Sequence, residues 1–272
     1  MKWRNSYAVV AGFTLVSLIT TNAQAQSAFA GFYGQLSTGY ESNQLGGQSD
    51  AGRVTPYAKS DTNNTGPSQT FGGAPLVLGA GYYWQANDKW LIGLGADYSA
   101  LSQTSSTYPL TATNASGSTS VASGENVTLN GGSVQLSNRF NLFITPGYAI
   151  DKDKLVYVKA GYSQVTAQYN RATSITITNN GVSKTTPATG GNQSTNQGGY
   201  LLGLGYKQMF ASGLYGFVEG NYMGYSAPSF TFTSTNGLDT SRGVINTSTR
   251  TITSSFASLN SYQALIGLGY AF

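Results

Sequence analysis

The chain has 272 residues, of which only 9% are charged, and it contains 35 glycines and 19 tyrosines but neither histidine nor cysteine. Soluble domains carry roughly 25% charged residues, so this composition disfavours an ordinary soluble domain. Without His and Cys, the chain lacks imidazole general bases, thiol nucleophiles, disulfides and the commonest metal ligands.

Residues 1–25 have the pattern of a cleaved secretory signal peptide. Lys2 and Arg4 give a positively charged start, an apolar core follows, and Ala23-Gln24-Ala25 forms a small-residue cleavage site. A buried amphipathic helix is the alternative, but the apolar run lacks a polar face. We therefore expect an exported mature chain of one domain, residues 26–272. Its charges are nearly balanced and do not indicate a nucleic-acid partner.

Eight segments of the mature chain alternate between large apolar residues and small or polar ones. A period of two indicates β-strands, and a tilted strand crosses a bilayer with roughly 9–11 residues. In the last segment Ile266 and Leu268 lie on the large apolar face, and Gly267 and Gly269 lie on the other. The eight segments are approximately 29–41, 75–84, 90–101, 134–148, 155–169, 200–208, 214–225 and 262–272.

The connections between these segments alternate in length. Three are short turns, at residues 85–89, 150–154 and 209–213. Four are long and rich in Ser, Thr, Asn and Gly, at residues 42–74, 102–133, 170–199 and 226–260. Unstructured connections of that size are unusual in compact soluble domains. Short turns at one end and long loops at the other are typical of outer-membrane barrels.

The charged residues inside the eight segments all fall on the face opposite the large apolar residues. They are Glu41, Asp97, Arg139, Lys159, Lys207 and Glu219. A charge that faces lipid at mid-depth costs about 2–4 kcal/mol, so we expect these six side chains in the barrel lumen. We predict that Arg139 pairs with Asp97, and that Lys207 or Lys159 pairs with Glu219. An eight-stranded barrel is just wide enough for its own side chains, which favours a filled lumen over a narrow conducting path.

A soluble lipocalin-like barrel would reverse this orientation, with the apolar face inside. The alternation alone does not distinguish the two. The many glycines opposite the apolar face, the long loops at one end and the aromatic final strand favour the membrane barrel. In the fourth segment, the alternation places Leu136 on the lipid-facing side and Arg139 in the lumen.

Most strand glycines lie on the face opposite the large apolar residues, although Gly216, Gly220 and Gly224 fall on the apolar face of the seventh segment. Gly-X-Gly pairs within strands lack the helix that a nucleotide-binding loop needs, so we expect the glycines to make room where opposing strands nearly meet. The outward aromatics suit membrane interfaces: Tyr40, Tyr82, Trp84, Trp90, Tyr98, Tyr148, Tyr162, Tyr200, Tyr206, Tyr270 and Phe272. The loop aromatics Tyr57, Phe71, Tyr108, Phe230, Phe232 and Phe256 would form a carbohydrate platform only if they cluster. Otherwise we expect solvated, mobile loops.

The chain resembles the eight-stranded outer-membrane β-barrel superfamily, which includes the OmpA-type transmembrane domain and the opacity-type surface proteins. The resemblance rests on the Ala-X-Ala signal, the alternating connections, the repeated Gly-X-Gly-(Tyr or Asp) strands and the terminal Tyr270-Ala271-Phe272. It implies an up-and-down transmembrane barrel in a Gram-negative outer membrane, with short turns in the periplasm. It also implies that the barrel-assembly machinery recognises the last strand through Tyr270 and Phe272. No periplasmic domain is expected, so cell-wall anchoring is not implied.

We therefore expect a monomeric, non-enzymatic outer-membrane protein with a structural or surface-interaction role, and no cofactor or metal. The alternative is a narrow channel for ions or small solutes. The expected partners are outer-membrane lipid, lipopolysaccharide, the barrel-assembly machinery and an extracellular ligand that the sequence does not identify. Small barrel enzymes, by the same resemblance, use a His that this chain lacks.

Overall fold

The computed structural model describes residues 27–55, 59–113, 125–179, 181–187, 191–236 and 248–272. The signal peptide expected at residues 1–25 lies outside these ranges. The described chain is all-β, and every strand pairing in it is antiparallel. In these ranges, no helix has the length and apolarity needed to cross a membrane.

Seventeen strands form in the described ranges, more than the eight expected, because the long connections also contain strands. They are β1 (Gly31–Leu45), β2 (Gln48–Thr55), β3 (Lys59–Gly66), β4 (Gln69–Gly73), β5 (Leu76–Gln85), β6 (Trp90–Ser99), β7 (Gln103–Thr104), β8 (Tyr108–Thr113), β9 (Glu125–Asp151), β10 (Lys154–Asn170), β11 (Ser174–Asn179), β12 (Val182–Pro187), β13 (Gln193–Met209), β14 (Leu214–Tyr225), β15 (Ser229–Asn236), β16 (Ser248–Phe256) and β17 (Leu259–Ala271).

Long strands pair side by side into a closed ring. The order is β1–β5–β6–β9–β10–β13–β14–β17, and β17 returns to β1. The closing pair runs in register from Tyr33 opposite Ala271 to Leu45 opposite Leu259. Because the ring is closed, the backbone N–H and C=O groups of each paired strand find partners on both sides. A sheet can span a lipid bilayer only when it is closed in this way.

The ring has apolar side chains outside and charged side chains inside. Leu204 is 69% exposed and Leu268 is 59% exposed, whereas Asp97 is 6% exposed and Lys159 is 2% exposed. This is the orientation that a bilayer requires, because hydrocarbon surrounds the wall and the charges are shielded within it. The lipocalin-like alternative, with apolar residues inside, is therefore wrong.

Two short strands of the long connections, β4 and β7, pair with β1 and β9 of the ring, and the other strands extend the barrel wall beyond it. Their order is β15–β16–β2–β3–β8–β9–β11–β12, and the first part of β9 links them to the ring. We call this sheet the extension. The expectation of loops without regular structure is wrong for these segments. Threonine-rich stretches favour strands, and paired hydroxyls such as Thr176 and Thr185, 2.9 Å apart, lie across neighbouring strands.

The loop aromatics lie inside the barrel at the end that carries the extension, and they do not form an exposed platform. Phe71, Tyr108, Phe230, Phe232 and Phe256 are each less than 10% exposed, while Tyr57 lies outside the described residues. They pack with other apolar side chains into a cluster at this end of the barrel. Burial also raises the pKa of the Tyr108 hydroxyl. Hydrophobic burial therefore stabilises the extension.

A bulge in β9 changes which residues face the lumen. Gln164 pairs with Phe140 and Thr166 pairs with Ser137, so two residues of β9 lie opposite one residue of β10. Asn138, one of the two, has a φ of 50°, a conformation that Asn tolerates better than most residues. The bulge shifts the alternation, so Leu136 is buried and the prediction that it faces lipid is wrong.

Lumen glycines make room for aromatic rings on the neighbouring strand, so the prediction that they allow close approach of opposing strands is wrong for these positions. A Cβ on Gly205 would collide with the Tyr157 ring, and one on Gly269 would collide with the Tyr215 ring. The same cross-strand arrangement recurs for Gly81 with Tyr33, Gly93 with Tyr83, Gly95 with Phe143 and Gly267 with Phe217. The rings thereby lie flat across the sheet and fill the lumen near the short turns.

Candidate functional site

The predicted lumen charges lie in three groups along the barrel interior. The first group is centred on Arg139 of β9. Its Nη1 forms an ion pair with Glu41 of β1, and its Nε donates to Tyr225 Oη at 2.9 Å. Its Nη2 donates to Asn43 Oδ1 at 3.1 Å and to Ser261 Oγ at 3.0 Å. The guanidinium therefore has partners on three of its nitrogens, as a buried arginine requires.

Glu41 is equally well satisfied. Asn43 Nδ2 donates to its Oε1 at 2.9 Å, and Gln263 Nε2 donates to its Oε2 at 2.7 Å. Glu41 is 2% exposed and Arg139 is 3% exposed. Charge-assisted hydrogen bonds of this kind are stronger than neutral ones, so this group ties β1, β9, β14 and β17 together across the lumen.

The second group is centred on Lys159 of β10. Its Nζ lies 2.8 Å from Asp97 Oδ2 and 2.9 Å from Glu219 Oε1, and all three side chains are at most 5% exposed. The lysine also lies over the Phe143 ring, 4.0 Å from its centroid. Asp97 further accepts from Asn141 Nδ2 at 2.6 Å. One cation therefore holds two carboxylates from opposite sides of its own strand.

Glu219 has further donors. Tyr157 Oη donates to its Oε2 at 2.7 Å, and Asn221 Nδ2 donates to its Oε1 at 2.8 Å. The same Asn221 amide lies 3.5 Å from Gln263 Oε1, which connects the Lys159 group to the Arg139 group. The two groups together form one polar layer across the barrel, which we call the ionic layer.

The third position, Lys207 of β13, is surrounded by aromatic rings. Its Nζ donates to Gln35 Oε1 at 3.2 Å and lies 4.3 Å from the Tyr33 centroid and 4.7 Å from the Tyr215 centroid. The Tyr83, Tyr157 and Phe217 rings lie within 6 Å. In the part of the chain that the structure describes, Lys207 makes no ion pair, so cation–π contacts take the place of a carboxylate.

The observed pairs differ in part from those expected. Arg139 pairs with Glu41, not with Asp97, which binds Lys159 instead. The prediction for Glu219 left two candidates, Lys207 and Lys159. The structure pairs Glu219 with Lys159. Side chains in a narrow lumen point toward the axis, so they reach strands beyond their immediate neighbour. Counting along adjacent strands therefore does not identify the partner.

Neutral partners of the charges were not singled out by sequence reasoning. Asn43, Ser261 and Tyr225 bind Arg139, and Gln35 binds Lys207. The sequence does indicate that these residues face the lumen, because each is in phase with the lumen residues of its strand. Uncharged polar residues on that face are nevertheless common, and the spacing does not show which of them meet.

Apolar layers lie on both sides of the ionic layer. Toward the short turns, Tyr33, Tyr83, Tyr157 and Tyr215 pack with Phe29, each of them at most 5% exposed. Toward the extension, the buried side chains include Val134, Leu136, Val165, Leu201, Met223 and Leu259. The charges are consequently enclosed within the lumen by packed side chains above and below.

Aromatic side chains form two outward belts on the wall. Near the short turns these include Phe32, Trp84, Trp90, Tyr270 and Phe272, each more than 45% exposed. Toward the extension they include Tyr40, Tyr98, Tyr162, Tyr200 and Tyr262, each at least 40% exposed. Aromatic belts at two levels are typical of the two membrane interfaces. Tyr82, Tyr148 and Tyr206 are only partly exposed at their positions on this wall.

The terminal residues Tyr270 and Phe272 lie on the outer wall at the short-turn end. Their rings contact each other in an edge-on arrangement with centroids 5.1 Å apart. The Phe272 amide donates to the Phe32 carbonyl at 2.9 Å, so the final residue is hydrogen-bonded to β1. Their exposed rings are available to a partner in the membrane, and recognition by the assembly machinery stays a prediction.

The short turn between β9 and β10 is flanked by an exposed ion pair. Lys154 Nζ donates to Asp151 Oδ2 at 2.8 Å. This hydrogen bond lowers the pKa of the Asp151 carboxyl and raises the pKa of the Lys154 ammonium. Among the described residues, no group of three or more acidic side chains is arranged to hold a metal ion.

The closed antiparallel ring, its apolar wall with two aromatic belts and its enclosed charges define a β-barrel whose exterior is suited to a lipid bilayer. No family model matches the sequence, and no curated protein matches it. Similar solved structures include Ail, the attachment invasion locus protein of Yersinia pestis, at 12% identity and a TM-score of 0.32 over 86% of this chain and 99% of that one.

Two further similar structures are named as outer-membrane proteins. The outer membrane protease OmpT from Escherichia coli is 11% identical, with a TM-score of 0.41 over 92% of this chain and 99% of that one. The outer membrane protein OprG from Pseudomonas aeruginosa is 13% identical, with a TM-score of 0.39 over 89% and 96%. At these values, the similarities transfer no activity, ligand or partner to this chain.

Proposed function

We propose that the ring of eight strands is the transmembrane barrel and that the protein has a structural or surface-interaction role without enzymatic activity. The short turns lie in the periplasm, and the extension stands outside the cell. The observation that carries this proposal is the continuation of the barrel wall beyond its second aromatic belt. A wall with outward hydroxyl pairs such as Ser229 with Ser255 is suited to water and not to hydrocarbon.

The ionic layer supports a filled lumen. A conducting pore needs charges that water reaches, whereas Lys159 and Arg139 are almost fully buried and are bound to carboxylates. Apolar clusters enclose the layer on both sides. In this proposal the charges fix the register of the strands that they join. The narrow channel that we considered from the sequence is not favoured by this packing.

The proposed partners follow from position. The apolar wall contacts membrane lipid, and the extension lies in the layer where lipopolysaccharide sugars lie. We further propose insertion by the barrel-assembly machinery, a monomeric barrel and an extracellular ligand bound by the extension.

Epitope tags test the orientation. One tag is placed at Gly181, in the turn between β11 and β12, and the matched tag at Ser212, in the turn between β13 and β14. Antibody should reach the Gly181 tag on intact cells, and should reach the Ser212 tag only after the outer membrane is permeabilised. Access to the Ser212 tag on intact cells would reverse the proposed orientation.

Conductance in planar bilayers tests the filled lumen. Purified protein should give no stable single-channel currents. Reproducible currents that change in Lys159→Ala or Glu219→Ala would instead show that ions pass the ionic layer. Such a result would replace the filled lumen with the channel.

A further inference from the structure

A large apolar groove crosses the outer wall of the barrel. It has a volume of about 1020 Å³ and crosses β6, β9, β10, β13, β14 and β17. Its lining includes Trp90, Pro146, Val156, Leu204, Gly220 and Ala264. The wall also has smaller grooves of about 560 Å³, so the assignment of an occupant depends on the chemistry at the two ends of this groove.

The groove follows rows of residues that pair across the strands. One row runs Trp90, Tyr148, Val156, Tyr206, Val218 and Ile266. Barrel strands tilt by roughly 35–45°, so a row that crosses them climbs the wall. This row therefore leads from the aromatic belt near the short turns toward the middle of the membrane.

The upper end of the groove has a floor of small residues. Gly220 pairs with Leu204 on one side and with Ala264 on the other. A Cβ on Gly220 would meet no atom within 4 Å. Gly216 and Gly224, on the same face of β14, are instead covered by the rings of Phe210 and Tyr200. On β14 the open position is therefore confined to mid-depth, where this groove meets a second one that is also lined by Leu204, Gly220 and Ala264.

The lower mouth of the groove carries a cation beside two aromatic rings. The Trp90 and Tyr148 rings contact edge-on, with centroids 5.3 Å apart. Lys89 Nζ lies 5.7 Å from the Tyr148 centroid, in the exposed turn that precedes β6. Amphipathic rings lie at the headgroup level of a membrane, and an ammonium group binds phosphate as a point charge.

We propose that this groove binds one phospholipid of the periplasmic leaflet, with its phosphate at Lys89 and an acyl chain extending along the groove to Gly220. The chemistry of the two ends matches that of one amphipathic molecule: charge and aromatic rings at the mouth, hydrocarbon above. The inference rests on the membrane orientation stated under the proposed function.

Photo-crosslinking in vesicles tests the site. The full mature protein is reconstituted in phosphatidylethanolamine and phosphatidylglycerol with a tracer phospholipid that carries a photoactivatable group at mid-chain. Adducts should concentrate at Leu204 and Gly220, compared with Leu78, an outward residue of β5 that does not line this groove. Gly220→Leu fills the floor and should reduce adducts there several-fold. Gly34→Leu is the matched control, since Gly34 is also an open position on this wall.

The headgroup contact has its own pair of variants. Lys89→Gln should reduce the adducts without changing the thermal stability of the barrel, whereas Lys152→Gln, in the neighbouring short turn, should leave them unchanged. Adducts spread evenly around the wall in all variants would overturn the lipid site and leave the proposed function intact. An unlabelled wall would contradict the membrane barrel itself. Crosslinks between two chains at Gly220 would assign the groove to a second copy and also contradict the proposal.

Discussion

Leu136 and Arg139 both point into the barrel although they lie three residues apart on one strand. In a regular strand, residues separated by an odd number face opposite sides. The bulge at Asn138 adds the extra residue that brings both side chains inside. One side chain joins the apolar cluster near the extension and the other anchors the ionic layer. The bulge therefore sets the boundary between these two layers.

The effect of a substitution at Asn138 on stability should depend on whether the new residue tolerates the positive φ of this position. Asn138→Val should lower the free energy of unfolding by about 1–2 kcal/mol, because a β-branched residue is strained at positive φ. Asn138→Gly should not show this strain. Urea titration of the protein refolded into lipid vesicles gives both values. Tyr98→Phe controls for the 2.9 Å hydrogen bond from Tyr98 to Asn138. Equal stability of the Val and Gly variants would contradict the account.

Removal of the cation at Lys159 should be costly. Lys159→Met leaves Asp97 and Glu219 buried without their counter-charge, and breaking a buried pair costs about 3–5 kcal/mol. The triple variant Lys159→Met, Asp97→Asn and Glu219→Gln should recover part of this loss, because no unpaired charge stays buried. Lys152→Met in an exposed turn is the control. If the single variant unfolds like the wild type in the same titration, the ionic layer does not stabilise the barrel.

The orientation of the strands could be predicted from the sequence, but the contacts within the lumen could not. Period-two alternation places Asp97, Lys159 and Glu219 on one face of their strands, and the structure keeps them there. Which of them touch depends on shear and on the reach of each side chain across the lumen. These are properties of the closed barrel and not of any one segment. The predicted pairing of Arg139 with Asp97 failed for this reason.

The alternation pattern also did not predict where the alternation is interrupted. Leu136 is apolar and in phase with the outward residue Phe140, so the pattern predicts that it faces outward. It faces the lumen because of the bulge at Asn138. The extension was missed because Ser- and Thr-rich segments resemble loops by composition. Their hidden signal was the alternation of Phe230 and Phe232 with polar residues, which buries one face of β15.

Larger residues at lumen glycines should disrupt the barrel. Gly205→Val places methyl groups against the Tyr157 ring, whose hydroxyl also binds Glu219. Overpacking of this kind costs about 1–3 kcal/mol, and we expect that loss in the free energy of unfolding. Gly34→Val, on the open outer wall, is the matched control and should change stability little. A tolerated Gly205→Val would mean that the ring is not confined as described.

Loss of the terminal aromatic residue should reduce membrane insertion. Phe272 is exposed on the outer wall at the short-turn end, where the resemblance to outer-membrane barrels predicts a signal for the assembly machinery. A chain that lacks Phe272 should yield less folded barrel in the membrane, measured as the fraction whose gel mobility shifts on heating. Phe272→Tyr keeps an aromatic ring and should insert normally. If the truncated chain inserts as well as the wild type, Phe272 is not part of the insertion signal.

The outward position of Leu204 offers the most direct measurement of the central claim, that an apolar wall faces lipid while the charges lie within. The chain has no native cysteine, so Leu204→Cys takes a single nitroxide label, and Ser212→Cys labels a short turn as the control. In vesicles, oxygen should relax the Leu204 label while a water-soluble nickel chelate should not, and the chelate should relax the Ser212 label. Strong relaxation of the Leu204 label by the chelate would place this wall in water and contradict the account.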